Sequence, residues 1–224
     1  RMNDVYAVTR QNMARLLYTN NASNSLFPNS FLDAFDSGAT FPTYGGISRN
    51  AAGNSAFKGQ YIDVTVGSNY TTISTAGFTR STMATVLSNI TDTAGGEAPT
   101  YGVLNPGDFA TLNKDCVANE TAFVDPGGNY SMDTSRRTSF PNINVSGIPI
   151  FADHFVPQGK AFFPNVKYTA MYLSEDAAFD FSGFYSLVPL GQIGQQGVVV
   201  VGYNLVSAKS SSGAIVVNIG NNAF

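Results

Sequence analysis

The sequence predicts an α+β protein: a mixed sheet flanked by helices, followed by a second half that is almost entirely β. Three observations carry this. Apolar residues recur at helical spacing in the first half, strand and helix patterns alternate there in close succession, and downstream of residue 147 only strand patterns remain. With 224 residues, the chain suits one compact domain or two closely packed ones.

Residues 2–18 form the clearest amphipathic helix, with Met2, Val5, Tyr6, Met13, Leu16 and Leu17 on one face and Thr9 between them. Asp4 near its start and Arg10 and Arg15 toward its end complement the helix dipole, and Asn20-Asn21 stops it. From 24 to 54 the chain is rich in Gly, Pro, Asn and Ser but punctuated by Phe27, Phe31, Phe35, Phe41 and Tyr44. This reads as an irregular connector with short turns of helix, anchored by its aromatics. A strand follows at 57–66, carried by Tyr61, Ile62, Val64 and Val66. Met83, Val86, Leu87 and Ile90 then place a helix over 81–91, capped by Ser81 or Thr82. Gly95-Gly96 releases the chain into a strand at 100–104, and Asn105-Pro106 reads as N-cap and first helical residue of a third helix with Phe109, Leu112 and Cys116 on its buried stripe. The stretch 120–144, with Asp125-Pro126-Gly127-Gly128-Asn129, reads as a long surface loop. Strands are expected at 147–154, 160–164, 168–173, 197–207 and 213–219, with a tight turn at Pro157-Gln158-Gly159 that puts proline at i+1. The valine-rich 197–207 run is apolar on both faces and reads as covered on both. Residues 209–213 read as a hairpin connection to the last strand.

Composition argues against most chemistry. Charged residues make up only 12% of the chain, net charge is −3, and no basic tail or stripe appears, so sequence-specific or general nucleic-acid affinity is not expected. Polarity comes from Asn, Ser, Thr and Gly, a surface that is buried against neighbours at little cost in ion desolvation. No apolar run is long enough to span a bilayer, and no membrane partner is expected. The single histidine, His154, sits beside Asp153 at a strand end; the single cysteine, Cys116, reads as a small buried apolar residue. Glu175, Asp176 and Asp180 read as a solvated turn rather than a calcium loop. No nucleophile elbow, zinc-ligand set, phosphate loop or dinucleotide fingerprint is present. The expectation is therefore no enzyme, no catalytic or metal-binding residue, no cofactor and no small-molecule ligand.

Five elements occur in a fixed order: Tyr44-Gly45-Gly46-Ile47-Ser48-Arg49; the amphipathic stretch 81–91; Gly102-Val103-Leu104-Asn105-Pro106-Gly107-Asp108-Phe109; Gly147, Pro149, Asp153, Pro157, Gly159 and Lys160; and Asn165-Val166-Lys167-Tyr168. In this the chain resembles the major capsid proteins of tailed bacteriophages, which have the HK97-like fold. The resemblance implies an axial domain built as a mixed sheet flanked by helices, together with an elongated β-rich peripheral domain. Residues 1–78 would supply the end of the spine helix and peripheral connector, 79–165 the axial-type α/β domain, and 166–224 the β-rich return strands. It further implies a structural subunit of a virion, self-assembling into hexamers and pentamers around the packaged genome. About 45 residues precede the Gly-Gly-Ile element, too few for the family's N-terminal arm and extended loop, so the sequence reads as a core that folds alone and assembles into shells poorly. Encapsulin nanocompartments share the fold but lack these phage-group elements. The alternative of another class is a secreted β-rich adhesin or carbohydrate-binding module, against which the absence of tryptophan weighs.

Overall fold

The computed structural model describes residues 2–19, 27–64, 79–118, 143–186 and 195–219. The helices are α1 (Met2–Leu17), α2 (Phe31–Ala34), α3 (Arg80–Thr93) and α4 (Pro106–Ala118). The strands are β1 (Thr43–Tyr44), β2 (Ile47–Ser48), β3 (Gln60–Asp63), β4 (Gly102–Leu104), β5 (Ile143–Val145), β6 (Ile148–Ala152), β7 (Lys160–Phe163), β8 (Thr169–Leu173), β9 (Asp180–Ser186), β10 (Gln195–Val200), β11 (Tyr203–Ser207) and β12 (Ala214–Val217).

At the centre lies a mixed six-stranded sheet in the order β3-β12-β7-β4-β6-β5. β12 runs parallel to β3 and antiparallel to β7, while β4 runs antiparallel to β7 and parallel to β6. The period-two alternation of strand side chains divides two cores. Leu104, Ala161, Phe163, Ala214 and Val216 point to one face, where Met83, Val86, Leu87 and Ile90 of α3 and Phe109 and Leu112 of α4 cover them. Val103, Phe162, Ile215 and Val217 point to the other, under Tyr18, Phe31, Phe35 and Tyr44. Because both faces are covered, β4 and β12 are buried along their whole length. Tyr18, Phe31, Phe35 and Phe162 form one chain of ring contacts with centroids 5.2–6.0 Å apart. The aromatic connector thus seals the second face, as the sequence implies.

Several boundaries move. α3 begins at Arg80, and Thr79, in extended conformation, is its cap: its hydroxyl accepts from the Thr82 N–H rather than Ser81 or Thr82 serving as cap. β3 is shorter than expected, since residues 55–57 form a 3₁₀ turn; Val66 lies outside the described residues. Residues 143 and 144, expected in a loop, belong to β5. They pair with β6 across Ser146 (φ 52°) and Gly147 (φ 84°), the two positive-φ residues of a tight hairpin. The rest of the expected 120–144 loop, the Asn20-Asn21 stop and the Cys116 side chain lie outside the described set.

The turn before β7 has another register than expected. Lys160 donates to the Pro157 carbonyl, so Pro157 is residue i and Gly159 (φ 78°) fills i+2. That turn does not join a hairpin, because β4 sits between β6 and β7. It is held instead from the start of α4. Asn105 accepts from Gly107 N–H at 3.0 Å, as an N-cap should, and donates to the Val156 carbonyl at 2.8 Å. Asp108 accepts from Gly159 N–H at 2.7 Å. Burial raises the Asp108 carboxyl above its ordinary value, against the opposing pull of that N–H. A carboxyl raised in this way contributes its full stability below the unfolded-state pKa, and the contribution is lost as pH rises through the folded value. Asp108→Asn keeps an acceptor for Gly159 and removes the titration. Its urea midpoint, relative to wild type, is expected to climb as pH rises above the ordinary carboxylate range; a difference that stays constant with pH would contradict this account.

Residues 209–213 do not form a hairpin either. They make a buried 3₁₀ turn (Ser210–Ser212) that carries the chain from β11 into the middle of the large sheet.

Candidate assembly surface

Beyond the body, residues 169–186 and 195–207 form a two-stranded antiparallel arm. β8 pairs with β11, and β9 pairs with β10. Between the two ribbons lies a joint, with a 3₁₀ turn at Glu175–Ala177, where Ser174 and Gly202 exchange for regular pairing: Ser174 N–H donates to Gly202 O, and Gly202 N–H to Ala177 O, each at 2.8 Å. Strand β9 is missing from the sequence expectation. Its Ser182-Gly183 interrupts alternation, and Gly183 (φ 81°) supplies a bulge opposite Val198. The bulge brings Phe181 and Phe184 to one side, edge to face at 5.0 Å, and Phe181 lies across Gly197, where a Cβ would meet its ring at 2.6 Å.

The root of the arm explains the Asn165-Val166-Lys167-Tyr168 element. Asn165 donates to Ala98 O and accepts from Lys167 N–H, at 2.9 and 3.0 Å. Glu97 receives both the Lys167 ammonium (2.8 Å) and the Tyr168 hydroxyl (2.7 Å). The Lys167 hydrogen bond, then that of Tyr168, holds the Glu97 carboxyl below its usual range. Lys209 donates to Ala94 O at the end of α3 and also lies over the Tyr168 ring. On the inner side, Tyr203 donates to Met13 O, and Tyr6 and Arg10 of α1 contact Phe179.

The Tyr44-to-Arg49 element acts as a clip. Gly45 (φ 57°) and Gly46 (φ 79°) close the β1–β2 hairpin. On one side Tyr44 accepts from Ser207 N–H and donates to Leu205 O, fixing β11. On the other, Arg49 is fully buried: its guanidinium donates to the carbonyls of Asp33, Ala34 and Asp36, and lies 3.8 Å from the Asp36 carboxylate. Burial lowers the Arg49 pKa, opposed by Asp36, Tyr44 and Asp33. Sequence reasoning placed no buried ionic group here.

Of the residues weighed for chemistry, His154 and Asp153 lie together at the end of β6. His154 is largely exposed, stacks on Phe155 at 3.8 Å and lies 3.9 Å from Asp153. Asp153 is occupied by the Tyr18 hydroxyl and the Phe155 N–H. Among the described residues, no three His, Cys, Asp or Glu side chains are grouped to hold a metal ion, and no helix is long and apolar enough to cross a membrane.

What the arm does present is apolar surface. Met171, Tyr172, Leu173, Phe184, Tyr185, Val198, Val200 and Val206 are exposed, Tyr172 and Phe184 by 60% or more. Val198 and Val200 of β10, in a run expected to be covered on both faces, are therefore open, while Val199 is half-buried. Val5 and Val8 extend the band onto α1, whose Val5 was expected on the covered face.

Architecture gives the comparison. Over 97% of its length the chain superimposes on the capsid asymmetric unit of cyanophage A-1(L), with a TM-score of 0.62 and 16% identity. The holo-SrpI encapsulin complex from Synechococcus elongatus PCC 7942 matches over 100% of the chain, with a TM-score of 0.57 and 13% identity. The fold is HK97-like. A chain of the satellite phage P4 procapsid shares this HK97-like fold at a TM-score of 0.53, 10% identity and 96% coverage. The chain spans 68%, 66% and 62% of those three structures, about two thirds of their length. No protein-family profile and no curated protein sequence matches it.

Proposed function

We propose that the chain is a structural subunit of a bacteriophage-type capsid, working by symmetric self-association around the packaged genome as a component of the virion. One mismatch between sequence and structure carries this. The 197–207 run is written as a strand covered on both faces, yet its β10 part sits in a two-stranded ribbon that leaves Val198 and Val200 exposed. Isolated two-stranded ribbons are marginal in water, and apolar ones need a partner. Neighbouring copies supply that cover on this reading. The body, with α3 and α4 on the six-stranded sheet, corresponds to the axial unit; the arm with α1 corresponds to the peripheral one. The phage-group elements at 44–49, 102–109 and 165–168 favour a phage shell over an encapsulin. They act as the clip, the turn clasp and the arm root.

The test is sedimentation velocity over a rising concentration series. Wild type is expected to associate with concentration. Tyr172→Ser with Tyr185→Ser should keep the wild-type melting temperature, because both side chains are exposed, and weaken association by about tenfold or more. A wild-type protein that stays strictly monomeric would overturn the proposal.

A further inference from the structure

A cleft of about 460 Å³ opens beside the outer edge of β3, between the 55–58 turn, the C-terminal end of α3 and the 209–211 turn. Its lining includes Lys58, Tyr61, Asn89, Lys209 and Ser211, and contains no carboxylate. That is an unusual balance in a chain whose net charge is −3. Lys58 is exposed and has no ion-pair partner among the described residues. The carboxylate next to Lys209 is Glu97, which is bound by Lys167 and Tyr168 and does not line the cleft. Among the described residues, no strand pairs the outer edge of β3. Gln60 and Val64 turn their N–H groups toward Gly213 and Val217, so Tyr61 between them faces outward.

The complementary feature lies on the arm. Glu175 and Asp176 are the only adjacent pair of carboxylates in the sequence, and both are exposed in the 3₁₀ turn at the joint. They carry no ion pair among the described residues. The five residues of β8 separate this turn from the arm root by roughly 17 Å, at about 3.4 Å per residue. Lys209 stands at that root, so a paired ribbon cannot fold its joint back onto the cleft of its own chain.

We propose that the Glu175–Ala177 turn of one copy docks on the cleft lined by Lys58 and Lys209 in the next. The inference rests on the shell reading and names the contact that sets its register. Repeated from copy to copy without being reciprocated within a pair, this contact between two different surfaces is heterologous and generates a ring or a continuing array. With so few charges on the chain, one complementary contact steers encounter and penalises wrong registers, while the apolar arm supplies affinity.

The test mixes copies of the whole chain labelled with ¹⁴N and ¹⁵N, treats them with a zero-length carbodiimide cross-linker, and reads inter-copy links by mass spectrometry. Links from Lys58 or Lys209 to Glu175 or Asp176 across isotopes are expected. Inter-copy links elsewhere, with this pair absent, would overturn the register and leave the shell reading standing. No inter-copy links at any concentration would overturn both. Lys58→Glu, and separately Glu175→Lys with Asp176→Lys, should each weaken association by about tenfold without altering the melting temperature. Mixing the two variants should restore it, because each then meets an opposite charge on the other. Failure of the mixture to recover also counts against the proposal.

Discussion

Gly59→Ala is expected to destabilise the protein by about 3 kcal/mol or more, the upper end of overpacking costs, because the obstacle is main chain. A Cβ there would lie 2.1 Å from the carbonyl oxygen of Phe35 and 2.4 Å from its Cα. The Gly59 N–H meanwhile donates to Asp36 O at 2.9 Å, so the two strands of chain are already at closest approach. Relief requires α2 to lift from the sheet, which opens the core that Phe31, Phe35 and Phe162 share. Gly213→Ala meets the Phe35 ring at 2.2 Å instead. A ring can rotate, so a smaller cost, about 1–3 kcal/mol, is expected there. Urea denaturation of both variants gives the comparison; a wild-type midpoint for Gly59→Ala would mean that the Phe35 backbone is not held against Gly59.

Arg49→Ala should cost about 3–5 kcal/mol, the range for breaking a buried charge arrangement from one side. Ordinary buried ion pairs can be exchanged for apolar residues at little loss, but that escape is closed here. Three of the guanidinium's acceptors are backbone carbonyls, which no substitution removes. Asp36 would also lose the cation beside it while its Oδ2 still accepts from Gly38, Thr40 and Phe41. Arg49→Lys is expected to recover little, since one ammonium cannot span carbonyls that the fork of the guanidinium reaches together. Thermal and urea unfolding check both; near-wild-type stability of Arg49→Lys would show that charge, not shape, is what the site requires.

Much of this fold is legible in the sequence, and the failures share a cause. Helices α1, α3 and α4 announce themselves through periodicity, and Asn105-Pro106 marks a cap that the structure uses. The sheet order is not legible. Nothing local says that β4 separates β6 from β7, or that the chain from residue 209 enters the sheet rather than forming a hairpin, because strand neighbours are chosen by distant packing. β9 escapes because Ser182-Gly183 breaks the alternation that a bulge then restores in space. The candidate surface is half legible: the apolar 197–207 run is evident, but its exposure is not, since periodicity reports what a strand needs covered and not what covers it. Arg49 was visible as a motif residue. Its burial became visible only with the three carbonyls that face it.

The position of β12 has a consequence in time. Residues 214–217 lie between β3 and β7, so a nascent chain that has not emerged beyond residue 213 has a lone β3 and a four-stranded remainder, with no strand to join them. Pairing across more than 150 residues, as between Tyr61 and Ile215, belongs to the slow end of folding because loop closure precedes its reward. The arm at 169–207 is synthesised first and needs only local pairing. Its sticky valines and aromatics are therefore on offer while the body is still unfinished, and closure of the sheet by its last strand is the clock against which premature association between chains has to be measured.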